Sequence, residues 1–304
     1  MKLESIAERM PIVSDGEFVV LYGSTLWIYK VDGTFVAHRA DLQNVRAILF
    51  LPNKTMFVDG GENAYHLVSL ADGVEIWKHT YPRPMEYPSG RLVASKDHRF
   101  VYTYYEWRNH SYLVSVDLKL KEIHVQRDSY NQYVTEDIAC DETDKPCLLK
   151  SVYIEQNGAR VGECGVVRLD HTGALSKPNK NWIHKWQYHD SQFAFRFFSC
   201  TNEVITNNLF IHNLITGEQY YLLENEHNWI PPRQNPSDCW ADVTGSYLTF
   251  KFLNENVIVD IKKRTVVAVY PGKFFWGCII GNEFWMSIGQ GVERKPFPSV
   301  NLTE

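Results

Sequence analysis

The chain reads as a succession of short strands separated by tight turns. The segments Thr25–Lys30, Tyr65–Ser69, Tyr112–Asp117, Val166–Asp170, Leu209–Asn213 and Asn256–Asp260 mix apolar and polar positions and are rich in β-branched and aromatic residues. Such side chains suit a pleated surface that packs against neighbours. Each segment runs into a turn. The turns are Val31-Asp32-Gly33-Thr34, Ala71-Asp72-Gly73-Val74, Lys119-Leu120-Lys121-Glu122, His171-Thr172-Gly173-Ala174, Ile215-Thr216-Gly217-Glu218 and Lys262-Lys263-Arg264-Thr265. Asp-Gly and Thr-Gly supply the positive φ that a tight hairpin needs.

The turns recur. Positions 33, 73, 121, 173, 217 and 264 are separated by 40 to 52 residues, the period of a four-stranded propeller blade. Two further strands precede each hairpin. The third repeat reads Leu92–Ser95, Phe100–Tyr105, Tyr112–Asp117 and Glu122–Gln126. The fifth reads Phe193–Ser199, Glu203–Thr206, Leu209–Asn213 and Gln219–Leu223, and the sixth Trp240–Val243, Tyr247–Phe252, Asn256–Asp260 and Thr265–Tyr270. Beyond the sixth lie Phe275–Ile280 and Glu283–Ile288, about half a blade, followed by a looser tail. The expected fold is all-β: a single β-propeller domain over residues 1–304, with seven blades and the ring closed by an N-terminal strand from about Leu3 to Arg9. Leu3, Ile6 and Met10 also fit the spacing of a short helix, and a six-bladed ring with a C-terminal appendage is the alternative.

The repeated strand–Asp/Thr-Gly–strand hairpin resembles WD-repeat, YVTN-type and quinoprotein-like propellers over nearly the whole chain. The resemblance is architectural. The Trp-Asp dipeptide of WD repeats and the Asp-box of sialidases are absent, and the kelch-like pair Gly60-Gly61 occurs once. Fold of this kind does not fix function.

Composition narrows the classes. The chain is 44% hydrophobic and 22% charged, with a formal net charge of −5. A nucleic-acid partner is not expected, because such proteins carry a basic excess or a basic face. No apolar run approaches a membrane span, and the first ten residues hold acidic side chains without an apolar stretch, unlike a signal peptide. A cytoplasmic location, with no membrane partner, is the expectation. Cys140 and Cys147 could face each other across a hairpin, but a reducing compartment argues against a disulfide. No phosphate loop, hydrolase elbow, zinc-protease motif or EF-hand loop occurs, so neither cofactor nor metal is expected. In Trp182-Ile183-His184-Lys185-Trp186-Gln187-Tyr188-His189-Asp190, strand alternation puts His184 and His189 on opposite faces. That reads as an outer strand with packed aromatics.

Two sets of residues could carry function. In a propeller, the loops between blades and those between the two middle strands emerge on one face. That face receives Tyr81, Arg83 and Tyr87, then Trp107 and Arg108, then Tyr130, then Trp229 and Arg233. Trp, Tyr and Arg dominate binding hot spots, offering large rigid contact area. The expected function is therefore non-enzymatic binding of another protein or peptide, as in a scaffold, an inhibitor or an immunity-type binder. The alternative is a carbohydrate-active enzyme or lectin using carboxylates on the inner strands: Glu136, Asp137, Asp190 and Asp238.

Overall fold

The computed structural model describes residues 11–60, 64–81, 87–88, 91–107, 110–127, 134–156, 159–168, 182–188, 194–198, 201–206, 208–225, 236, 238–241, 246–271, 277–287 and 292–297. Of 87–88, 106–107, 110, 153–156, 159–163, 182–188, 194–195, 238 and 240–241 it describes the backbone alone. The chain divides into two compact units, residues 1–80 with 222–304, and residues 81–221.

The first unit holds four antiparallel sheets. They are β1 (Ile12–Ser14), β2 (Phe18–Tyr22), β3 (Leu26–Lys30) and β4 (Phe35–Arg39); then β5 (Ala47–Leu51), β6 (Thr55–Gly60), β7 (Ala64–Ser69) and β8 (Glu75–Thr80). The other two come after residue 221. The second unit holds three sheets. The first of these contains β9 (Tyr87–Pro88), β10 (Val93–Ala94), β11 (Phe100–Trp107), β12 (His110–Asp117) and β13 (Glu122–Arg127). Next are β14 (Val134–Cys140), β15 (Pro146–Gln156), β16 (Ala159–Arg168) and β17 (Trp182–Tyr188), then β18 (Ala194–Phe197), β19 (Glu203–Thr206), β20 (Phe210–Asn213) and β21 (Gln219–Tyr221). Back in the first unit, the sixth sheet is β22 (Asp238–Ala241), β23 (Tyr247–Lys251), β24 (Glu255–Asp260) and β25 (Thr265–Pro271). The seventh is β26 (Gly277–Ile280), β27 (Glu283–Ser287) and β28 (Val292–Pro296). Strands follow one another in sequence order across every sheet, except that β9 pairs with β11 rather than β10. These are the blades of a seven-bladed β-propeller.

The seventh sheet corrects one expectation. The tail after β27 is not loose: β28 pairs along β27 from Val292↔Ser287 to Pro296↔Glu283. Its hold is Val292, packed with the Trp285 cluster, and the Arg294 guanidinium 3.7 Å from the Trp285 ring centroid. The N-terminal strand expected to close the ring lies outside the described residues.

One hairpin device repeats and explains the period. The carbonyls of Ser69, Asp117, Asn213 and Asp260 accept the N–H of Gly73, Lys121, Gly217 and Arg264, four residues on. Each of those four donors has left-handed backbone, with φ between +55° and +75°. The Asp117, Asn213 and Asp260 side chains also accept backbone N–H groups within the turn. The apolar residue after each turn-opening position (Leu70, Leu118, Leu214 or Ile261) donates its N–H to the first turn of the same sheet, at Lys54, Arg99, Asn202 or Ser246. Two turns are thereby fixed against each other in every such blade.

Apolar clusters bridge neighbouring sheets. Phe18, Val20, Leu26 and Ile28 of the first pack on Met56, Val58 and Val68 of the second. In the second unit, Tyr102, Tyr104 and Leu113 meet Ile138, Leu148 and Val167. Burying such side chains stabilises the fold by about 25 cal/mol per Å² of apolar surface. Cys140 belongs to that cluster and Cys147 to the next one, with Leu149, Cys164 and Val204. The two thiols therefore point to opposite faces of their sheet and are free. Burial pushes both up to about 12.

Candidate functional site

Two of the candidate binding residues, Tyr87 and Trp107, lie in the third sheet. The two-residue strand β9 pairs with the far end of β11, Tyr87 opposite Glu106 and Pro88 opposite Tyr105. This pairing brings Tyr87 and Pro88 alongside the β11–β12 hairpin, whose last pair is Trp107↔His110. Tyr105 stacks on its cross-strand partner Tyr112, with centroids 4.9 Å apart and planes 7° off parallel. Both rings are half-buried. A stacked pair of this kind contributes about 0.5–1.5 kcal/mol beyond its buried area, which makes it a rigid base for that end of the sheet. Arg127 lies opposite Tyr112 on the outer strand.

Of the residues singled out from sequence, Tyr81, Tyr87 and Trp107 are thus placed in one unit, and Tyr87 and Trp107 at one end of one sheet. Tyr81 is half-buried. Arg83, Arg108, Tyr130, Trp229 and Arg233 lie outside the described residues.

The sequence reading missed a second projecting element on the same end of the second unit. The β15–β16 hairpin is unusually long, pairing continuously from Cys147↔Arg168 to Gln156↔Ala159. Among the described residues, the last of β15 to have a partner on β14 is Ser151, and β17 reaches the level of Tyr153, through Gly162, so Ile154 through Gln156 pair with β16 alone, roughly 10 Å at about 3.3 Å per residue. The signal was present in the chain: Gln156-Asn157-Gly158-Ala159 holds the Asn-Gly pair that favours a two-residue hairpin turn.

The inner-strand carboxylates have a different character. Among the second unit's strands, β14 lies between β10 and β18. A β-bulge at Glu136 interrupts its pairing with β15. Such bulges re-aim side chains, and here Glu136 accepts a hydrogen bond from the Ser151 hydroxyl. Asp137 is buried. One of its oxygens accepts the Phe197 N–H at 3.0 Å, and the other lies 3.5 Å from Arg91 Nε. Nearby, Thr135 donates to Ser111 at 3.0 Å, and the fully buried Lys150 ammonium lies 3.4 Å from the same hydroxyl. Asp137 therefore links the inner strands β14 and β18. Asp190 lies outside the described residues, and Asp238 opens β22 in the first unit with its side chain undescribed.

Trp182–Tyr188 is the outermost strand of its sheet, as the alternation implied, with His184 opposite Val166. Among the described residues, no cluster of His, Cys, Asp and Glu could hold a metal ion. No described helix is long and apolar enough to cross a membrane.

Among solved structures, the chain is similar to the β-propeller domain of Swd1 from Myceliophteria thermophila. The match covers 97% of this chain and 98% of that one, with a TM-score of 0.62 at 11% sequence identity. The fold is thus a β-propeller. No family model matches the chain, and no curated protein matches it.

Proposed function

We propose that this propeller is a non-enzymatic binding module that grips another protein or peptide through its aromatic loop face. The observation that carries the reading is the β9–β11 pairing. It draws Tyr87 and Trp107 to one end of a sheet already stiffened by the Tyr105–Tyr112 stack. A surface made rigid before binding loses little entropy on association, and loops on a rigid scaffold are the usual place for recognition. The projecting β15–β16 hairpin extends the same end of the second unit. The engagement of Asp137 with Phe197 and Arg91 favours this reading over a catalytic role for the inner strands.

On this proposal residues 1–304 act as one domain closed by the N-terminal segment, and the protein works in the cytoplasm. Arg83, Arg108, Tyr130, Trp229 and Arg233 complete the contact face. Inhibitors and immunity-type binders, which cap a partner with a preformed surface, fall within this class. The test is affinity capture from a lysate of the source organism, with wild-type bait beside a Trp107→Ala/Trp229→Ala bait of unchanged circular dichroism. A stoichiometric protein retained by wild type alone is the expected result. Equal retention by both baits would refute the assignment of the face.

A further inference from the structure

His66 is a buried imidazole that the binding reading does not use. It lies on β7, opposite Val58 on β6 and Lys78 on β8. Strand alternation puts it on the same side as Val68, which packs in the apolar cluster between the first and second sheets. Only 2% of the residue is exposed. Its Nδ1 lies 2.6 Å from Glu75 Oε2. Its Nε2 is enclosed and has no hydrogen-bond partner among the described residues.

Glu75 connects this ring to the first sheet. Its carboxylate lies 3.7 Å from the Arg39 guanidinium, on β4. Arg39 is itself fixed: it donates to the Gly73 carbonyl at 2.8 Å and forms a two-pronged pair with Asp41. The charged groups on this side of His66 are therefore Glu75 and Lys78 from β8, Arg39 from β4 and Asp41 just beyond it.

We infer that His66, Glu75 and Arg39 form a proton-set clasp between the first two sheets, with the ring held as the Nδ1–H tautomer. A carboxylate acceptor at Nδ1 requires a proton there. A proton on Nε2 would instead be a buried donor with nothing to receive it, and an orphaned N–H is the rarer and costlier of the two defects. Which ring nitrogen carries the proton thus follows from the partner of the other. The clasp couples the sheets because Glu75 faces both His66 on its own sheet and Arg39 on the neighbouring one.

The tautomer is read directly by long-range ¹H–¹⁵N correlation spectra of the wild-type protein at neutral pH, with His66 assigned by its loss in a His66→Asn sample. The expected pattern is a protonated Nδ1 and an unprotonated Nε2. A proton on Nε2, alone or with one on Nδ1, overturns the inference. Thermal melts of two variants give a second readout. Asparagine presents its amide N–H near the position of Nδ1, and glutamine near that of Nε2. His66→Asn is therefore expected to lose less melting temperature than His66→Gln. Equal losses, or the reverse order, contradict the clasp.

Discussion

Asp137 accepts the backbone N–H of Phe197 at 3.0 Å, so a side chain on the inner strand β14 is bonded to the main chain of the next inner strand, β18. The two residues belong to different sheets of the second unit, and the bond fixes one blade against the other. Asp137→Ala removes the acceptor from a half-buried donor. Hydrogen bonds to a charged group contribute about 1.5–3 kcal/mol, and the variant is expected to lose that amount of stability in urea. Unchanged stability with altered ligand binding would instead return Asp137 to the set of functional carboxylates.

Acid should weaken the fifth sheet before it protonates the carboxylates. Burial pushes His212 down to about 4 from an ordinary 6.5. Between those values the unfolded chain binds the proton and the folded chain does not, so stability falls as pH drops through that interval. The full effect is about 3 kcal/mol, at about 1.4 kcal/mol per unit. His212→Leu should flatten this limb, measured as urea stability at pH 7 and pH 4.5. An identical pH dependence in the variant would refute the assignment.

Asn256 offers a gain. It is 1% exposed on β24, and neither amide atom has a hydrogen-bond partner among the described residues. Exchanging a buried, unsatisfied polar group for an apolar one of similar shape removes its desolvation cost. Asn256→Leu is expected to raise stability by about 1 kcal/mol in thermal or chemical denaturation. A clear loss would mean that the amide serves a ligand or a bonded network.

Two glycines with the same backbone should respond differently. Gly73 and Gly217 occupy equivalent turns at φ +74° and +75°. An added Cβ at Gly73 would come within 2.3 Å of the Ala37 side chain, whereas at Gly217 it meets nothing within 4 Å. Gly217→Ala should cost about 1 kcal/mol from left-handed strain alone, and Gly73→Ala distinctly more. Equal losses would show that the close approach relaxes freely. By the same logic, Lys121→Gly, at φ +60°, should stabilise its turn.

The period was legible because it rests on local chemistry. Gly33, Gly73 and Gly217 announced their turns by type, and all three have positive φ. Lys121 and Arg264 do not, and their turns are legible only from the strands on either side. β28 escaped notice because Val292-Glu293-Arg294-Lys295-Pro296 has no apolar alternation; cation–π stacking on Trp285 and the packing of Val292 hold it instead. The reach of β15 and β16 was hidden by Glu155 and Arg160, which break the apolar pattern while the Asn-Gly turn sits between them. The pairings of β9 with β11 and of Asp137 with Phe197 join residues far apart in the chain, and no local pattern encodes them.

The contact face is tested most directly by titrating the captured partner into the wild-type protein, Trp107→Ala and Asp238→Ala, with dissociation constants from calorimetry. Loss of a hot-spot aromatic costs at least about 1.4 kcal/mol, which is tenfold in affinity. The loop-face reading predicts at least that weakening for Trp107→Ala and wild-type affinity for Asp238→Ala. Wild-type affinity for Trp107→Ala, with binding lost in Asp238→Ala, would contradict it and place recognition on the inner strands.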